Sequence, residues 1–195
     1  MYVLYWSNHG LQLYNSLAKF NTLYWDATGS LLKKSNTGKN FLYYELALCQ
    51  PFKGKMGISV TSMVSENQSL PVVLDWLRCF QYAEKTKFGH CKAINYSKLI
   101  VSDQSMVLVL SALKEFNNEN LESFLNRAYA IAKGQATLKD TQKTIVHLCK
   151  SHFLNSAKRH LIKKEVSRTK ISFCLFLVGI VMKCQFLKDF GRNSL

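Results

Sequence analysis

Two aspartates each follow a run of apolar residues that is typical of a buried strand. Asp26 lies in the stretch NTLYWDATG, and Asp103 ends the stretch KLIVSD. A carboxylate in such a place needs a charged partner, a metal ion or an exposed position beside a cleft. Two alternatives involve no metal: Asp26 can be an ordinary turn-forming residue, and Asp103 can cap a following helix.

A cysteine and a histidine stand three residues apart in HLCKSHF. Cys149 and His152 have a Cys-x-x-His spacing that is found in zinc sites. Structural zinc usually takes four protein ligands. The spacing selects none of the further candidates, which are His147, His160, Cys174 and Cys184. The alternative is a core cysteine beside a surface histidine.

The segment after this motif is strongly basic. Four basic residues recur there at helical intervals: Lys158, Arg159, Lys163 and Lys164. An apolar stripe accompanies them, formed by Phe153, Leu154, Ala157 and Leu161. Such a helix can lay its basic face on DNA phosphates, which gives sequence-independent and salt-sensitive binding. An ordinary solvated face is the alternative.

The whole chain is basic and has enough apolar residues to bury a core. It has 195 residues, 48% of them hydrophobic, and a net charge of +14. This composition excludes a disordered tail. It favours a polyanionic partner, most simply nucleic acid, or an anionic membrane surface; the alternative is a soluble basic protein with no such ligand. The six cysteines do not have the spacing of a disulfide framework, which indicates a reducing compartment. The longest apolar run, residues 171–182, is shorter than the roughly 20 residues of a spanning helix, so we expect no membrane partner.

The elements that must position these residues follow from the hydrophobic pattern. Strands are predicted at residues 20–26, 41–49, 56–64 and 99–103, with the first three in an antiparallel meander. Helices are predicted at residues 69–85 and 104–116, followed by a polar helical segment and a further strand within residues 141–153. The predicted fold class is therefore α/β, with a mixed sheet and flanking helices.

The catalytic core of Mutator-like transposases resembles this chain in four ordered segments: LYWDATGSLLKK, FLYYELAL, SVTSMVSENQSLPVVLDWLRCF and KLIVSDQSMVLVLSALKEF. Three meandering strands, a helix, a fourth strand and a helix is the element order of the ribonuclease-H-like fold. In that family the first catalytic aspartate ends the first strand and matches Asp26, and the second ends the fourth strand and matches Asp103. The family's Cys-x-x-His element matches Cys149 and His152. The resemblance covers residues 15–165.

The resemblance implies a DNA transposase that acts in the nucleus. Such enzymes attack phosphodiesters in line, and two divalent metal ions activate the attacking group and stabilise the leaving oxygen. Asp26 and Asp103 would then be catalytic and would hold Mg²⁺ or Mn²⁺, and Cys149 and His152 would be candidate Zn²⁺ ligands. The implied partners are DNA, as transposon ends and target, and further copies of the chain.

The family's third acidic residue, carried on a helix after a helical insertion, has no match. The acids that come too early or lack the family's surroundings are Glu115, Glu119, Glu122, Glu165 and Asp189. We therefore expect a partial ribonuclease-H-like core at residues 15–117, the start of the insertion at residues 118–195, and poor cleavage. The alternatives are a DNA-binding remnant without activity and a host-adopted ribonuclease-H-like interaction domain.

Overall fold

A computed structural model describes residues 2–29, 38–50, 57–89 and 97–183. The strands in this part of the chain are β1 (Tyr2–Trp6), β2 (Thr22–Gly29), β3 (Leu42–Leu48), β4 (Ile58–Ser65), β5 (Leu99–Ser102) and β6 (Ile145–Leu148). The helices are α1 (Asn8–Leu17), α2 (Leu70–Phe88), α3 (Met106–Asn117), α4 (Leu121–Ala132), α5 (Leu138–Gln142), α6 (Lys150–Lys163) and α7 (Arg168–Lys183).

The six strands form one mixed sheet in the order β1-β4-β3-β2-β5-β6. The pairs β1–β4, β4–β3 and β3–β2 are antiparallel, whereas β2–β5 and β5–β6 are parallel. The prediction of an α/β fold with a mixed sheet and flanking helices is confirmed. Because β2, β5 and β6 run in the same direction, their carboxyl ends lie at one edge of the sheet.

The predicted strands agree with the observed ones except at their ends. Phe20 is not in a strand: it closes a short 3-10 turn, Ala18–Phe20, and its side chain is 81% exposed. The turn occurs because the ladder with β5 begins only at Thr22. The predicted start of the third strand, Met56, lies outside the described residues.

Two elements at the start of the chain were not predicted. Strand β1 adds an antiparallel edge strand beside β4, and α1 packs against β4. Ser7 caps α1 by accepting a hydrogen bond from the Gly10 backbone N–H. A Cβ atom at Gly10 would lie 2.5 Å from the carbonyl oxygen of Val60, so the contact between helix and strand requires glycine.

The hydrophobic core lies between α1, α2, α3 and one face of the sheet. Alternate residues of each strand supply this face, among them Trp25, whose ring meets the ring of Trp76 on α2 edge-on at 5.9 Å. The indole N–H of Trp76 donates to the hydroxyl of Thr61 at 2.9 Å, so the polar atom of a fully buried ring is satisfied. Burial of Leu23 and Ile100 on neighbouring strands fixes the register of β2 against β5.

Helices α6 and α7 pack against each other as a hairpin after β6. Ile171 is buried, but α7 also carries apolar side chains on its outer side, which are exposed at Phe173, Phe176, Leu177 and Ile180. Among the described residues, no helix combines the length and the apolar character needed to cross a membrane.

Candidate functional site

The parallel pairing of β2 with β5 brings Asp26 and Asp103 together. Trp25 is the register partner of Ser102, so the two aspartates are the next residues on neighbouring strands. The backbone N–H of Asp103 donates to the Trp25 carbonyl at 3.3 Å, which extends the ladder one residue beyond β5. Two residues that are far apart in sequence therefore lie side by side.

The resemblance predicts Asp26 at the end of its strand. Asp26 instead lies within β2, three residues before the strand ends. Strand β2 continues to Gly29 because its pairing with β3 continues as far as the contact of Gly29 with Leu42. As a result Asp26 has a second neighbour, since Glu45 of β3 is directly opposite it in the register. Side chains at directly opposite positions have Cβ atoms about 4.5–5.5 Å apart, so this is a close pair of like charges.

The aspartate at position 26 points away from the helix-covered face of the sheet. Successive side chains of a strand alternate between faces. Trp25 packs against α2, so Asp26 and the partly exposed Tyr24 project from the opposite face, together with Glu45. Asp26 and Glu45 are both half-buried on this face.

Asp103 is an electrostatically strained carboxyl group. Burial raises its pKa, the hydrogen bond from the Ser105 backbone N–H lowers it, the charge of Asp26 raises it and the charge of His152 lowers it, with a net rise. The pKa of the Tyr44 hydroxyl is also raised, first by burial and then by the charge of Asp103. The ionised form of Asp103 is thus disfavoured in the folded protein.

No basic side chain pairs with these acids within the described residues. One oxygen of Asp26 accepts from the Ala27 backbone N–H at 2.8 Å, and one oxygen of Asp103 accepts from the Ser105 backbone N–H at 2.7 Å. Elsewhere in the described residues, Glu115 pairs with Arg78, and Glu119 pairs with Arg127 and Lys143. In a chain with 26 lysines and arginines, the missing counter-charge suits a site that receives a cation.

Cys149 and His152 lie at the same edge of the sheet. The backbone N–H of Cys149 donates to the Ser102 carbonyl at 2.6 Å, and α6 begins directly after it. His152 is in the first turn of α6, close enough to Asp103 to lower its pKa, and its Nδ1 atom is buried without a hydrogen-bond partner. In the described ranges, no three or more His, Cys, Asp or Glu side chains lie close enough together to bind one metal ion. Zinc binding by Cys149 and His152 therefore stays a prediction.

The four basic residues predicted to contact DNA are all exposed: Lys158, Arg159, Lys163 and Lys164. Arg159 and Lys163 lie one turn apart on α6, and Lys158 borders the cavity between α6 and α7. Since a helix rises 1.5 Å per residue, Lys158 lies about 14 Å along α6 from Cys149. The basic part of α6 therefore extends away from the acidic edge of the sheet.

The residues present fit a hard divalent cation. Asp26 on β2 and Asp103 directly after β5 supply carboxylate oxygens from neighbouring positions. Glu45 is the register partner of Asp26 on β3, but the described acids do not converge as a set of three ligands. Glu45 was not predicted as a site residue. A charged residue inside the otherwise apolar run FLYYELALC was its only signal in the sequence.

Comparison with known proteins adds no further constraint. The chain matches no protein-family model, no curated protein and no solved structure.

Proposed function

We propose that this chain is the sheet core of a DNA-processing protein of the ribonuclease-H-like type, related to Mutator-like transposases. The observation that carries the proposal is the placement of Asp26 and Asp103 side by side, Asp26 within β2 and Asp103 directly after the parallel strand β5, without a lysine or arginine partner among the described residues. In open sheets with parallel strands, ligands bind at the carboxyl ends of the strands.

The topology supports the ribonuclease-H-like part of the proposal. After β1 and α1, the chain forms three antiparallel strands, a helix, a strand parallel to the first of them, a helix, and a further parallel strand beyond a helical segment. This is the element order expected from the resemblance. The sheet order places the strand that carries Asp26 in contact with the strand that precedes Asp103.

In the proposed mechanism each part of the chain has a separate task. Asp26 and Asp103 would hold Mg²⁺ or Mn²⁺, which supplies activation of the attacking oxygen and stabilisation of the leaving oxygen. Strand β2 fixes the position of Asp26, and the hydrogen bond from the Asp103 N–H to the Trp25 carbonyl holds Asp103 beside it, directly after β5. The exposed lysines and arginine of α6 would contact the DNA backbone, and α6 starts at the acidic edge.

A nucleic-acid-binding or interaction domain without catalysis is the second candidate. It is favoured by the local hydrogen bonds of the two aspartates. Asp103 accepts from the Ser105 backbone N–H directly before α3, and this is the geometry of a residue that stabilises a helix start. In this case the two carboxylates would have no cation to bind.

A metal titration separates the two candidates. We expect Mn²⁺ to bind the chain and to raise its melting temperature, because a ligand at 100 times its Kd stabilises the folded state by about 2.7 kcal/mol. Asp26→Asn and Asp103→Asn should each remove most of this stabilisation. Asp75→Asn is the matched control, since Asp75 is an exposed aspartate of α2 that accepts from the Tyr2 hydroxyl. Equal stabilisation of all four proteins would contradict the metal site.

Cleavage should be weak even if metal binds. Two aspartates can hold one cation, but a second cation needs further oxygen ligands in fixed positions. A misplacement of about 1 Å can cost a hundredfold in rate. We therefore expect little plasmid nicking in Mg²⁺ or Mn²⁺. Robust nicking that Asp26→Asn abolishes would show that the catalytic core is complete.

A further inference from the structure

A cavity with lysines in its lining lies at the opposite edge of the sheet from Asp26 and Asp103. It has a volume of about 380 Å³, and its walls come from the segments that precede β5 and β6, the end of α3, and α5. Lys98 precedes β5 by one residue and Asp103 follows it by one residue. At about 3.3 Å per residue, the strand separates the two positions by about 16 Å. The cavity is therefore distinct from the site described above.

Hydrogen bonds join the residues along one wall of the cavity. The side-chain amide of Asn117 donates to the carbonyl of Thr144 at 2.8 Å and accepts from its N–H at 2.9 Å. The Thr144 hydroxyl donates to the Ser97 carbonyl at 2.7 Å, which joins the starts of β5 and β6. Lys143 is held in place by Glu119, whose carboxylate lies 3.3 Å from the Lys143 ammonium group.

The cations at this cavity exceed the acids. Lys98 and Lys139 line it with exposed side chains and have no carboxylate partner among the described residues. Glu119 is already bound by Arg127 and Lys143. The nearby acid Asp140 is turned to the hydroxyl and backbone N–H of Thr137. Two lysine ammonium groups thus remain available to an anion from solvent.

We propose that this cavity binds a phosphate group carried on a nucleoside. Lys98 and Lys139 would neutralise the phosphate, and the Gln142 side-chain amide, also in the lining, can hydrogen-bond to it. The volume exceeds that of a phosphate alone and leaves room for the attached sugar. The same chemistry is offered by a free nucleotide and by the backbone of a nucleic acid. The proposal does not depend on catalysis at Asp26 and Asp103.

The test uses amide NMR shifts and oligonucleotide binding. Adenosine monophosphate and a short labelled single-stranded oligothymidylate are titrated separately into the full chain. We expect either ligand to shift the amide signals of Lys98, Lys139 and Thr144. In Lys98→Gln/Lys139→Gln, oligonucleotide binding should weaken about fivefold or more. The slope of log K against log salt should also decrease in magnitude by about 0.7 for each phosphate contact that is lost. Lys98→Arg/Lys139→Arg should keep most of the binding.

A charge-matched control decides whether the cavity itself matters. Lys19→Gln/Lys114→Gln removes the same charge from two exposed lysines outside this cavity, on the turn before β2 and on α3. Shifts with the mononucleotide would identify a free nucleotide as the ligand, whereas shifts with the oligonucleotide alone would identify a backbone phosphate. Equal weakening in the two glutamine variants, or shifts confined to other regions, would overturn the proposal.

Discussion

At the scale of single residues, Asp103 shows the cost of the acidic edge. Its pKa is raised by burial and by Asp26, so in the folded protein the carboxyl group binds a proton more tightly than a free aspartate side chain does. Stability from this group is therefore greatest at low pH and falls as pH rises through the folded pKa. We expect Asp103→Asn to raise the melting temperature at pH 7 without metal, because asparagine carries no charge and can still accept from the Ser105 N–H.

Asp140→Asn is the control of opposite sign. Hydrogen bonds from Thr137 lower the pKa of Asp140 and complete the capping box of α5. Stability from Asp140 is thus present above the unfolded pKa and is lost as pH falls through the folded value. Asp140→Asn should lower the melting temperature at pH 7. The assignment of strain to Asp103 fails if both variants shift the melting temperature downward.

The sequence indicated Asp26 and Asp103 as candidate site residues because a charged side chain beside an apolar run needs a partner or an exposed position. It could not predict their neighbours. Glu45 faces Asp26 only because of the exact register of β3, and His152 approaches Asp103 only because α6 starts at the end of β6. Such contacts depend on distant pairings that leave no local pattern in the sequence.

At the scale of elements, a buried ion pair joins α3, α4 and the start of β6. Arg127 and Glu119 are nearly inaccessible to solvent and form two hydrogen bonds, at 3.0 and 2.8 Å. Arg127 also donates to the carbonyls of Asp140 and Thr144. Breaking one partner of such a pair typically costs 3–5 kcal/mol. We expect Glu119→Gln to lower the free energy of unfolding by about this amount in denaturant titrations at pH 7.

The exposed pair of Arg78 with Glu115 is the matched control. It is also an arginine–glutamate pair, at 3.3 Å, but the Arg78 side chain is 58% exposed. Glu115→Gln should therefore cost only about 0–1 kcal/mol. Burial raises the pKa of Glu119, but the hydrogen bonds and charges of Arg127 and Lys143 lower it by more, so the net change in this pKa is a decrease. The two variants should differ less in free energy of unfolding as the pH falls below the pKa that Glu119 has in the unfolded chain. Equal losses for the two variants at pH 7 would contradict the role of the buried pair.

At the scale of the whole molecule, most elements and the antiparallel meander of β2, β3 and β4 were predicted from the pattern, but the positions of β1, β5 and β6 in the sheet were not. Alternating and apolar runs gave β2, β3, β4 and β5, and helical spacing gave α2. The crossover through α2 that places β5 beside β2 is a tertiary choice, and so is the addition of β1 at the far edge. The meeting of Asp26 and Asp103 could therefore be inferred only through the resemblance to a family.

The basic residues at the end of α6 are the candidate DNA contacts of the molecule. If α6 binds DNA, neutralising Lys158, Arg159, Lys163 and Lys164 to glutamine should weaken duplex binding and reduce its salt dependence. Each phosphate contact with duplex DNA contributes about 0.9 to the slope of log K against log salt, so four contacts would contribute about 3.6. Glutamine at four other lysines, Lys19, Lys85, Lys114 and Lys133, makes the same change in net charge.

Fluorescence anisotropy with a labelled duplex over a range of salt concentrations measures both quantities. The α6 variant should lose more of the slope than the control set, because only contacts at the interface release bound counterions from the DNA. Asp26→Asn should leave binding intact or strengthen it slightly, since it removes a negative charge from the acidic edge. If the two lysine sets have equal effects, binding depends on net charge alone and α6 is an ordinary solvated helix.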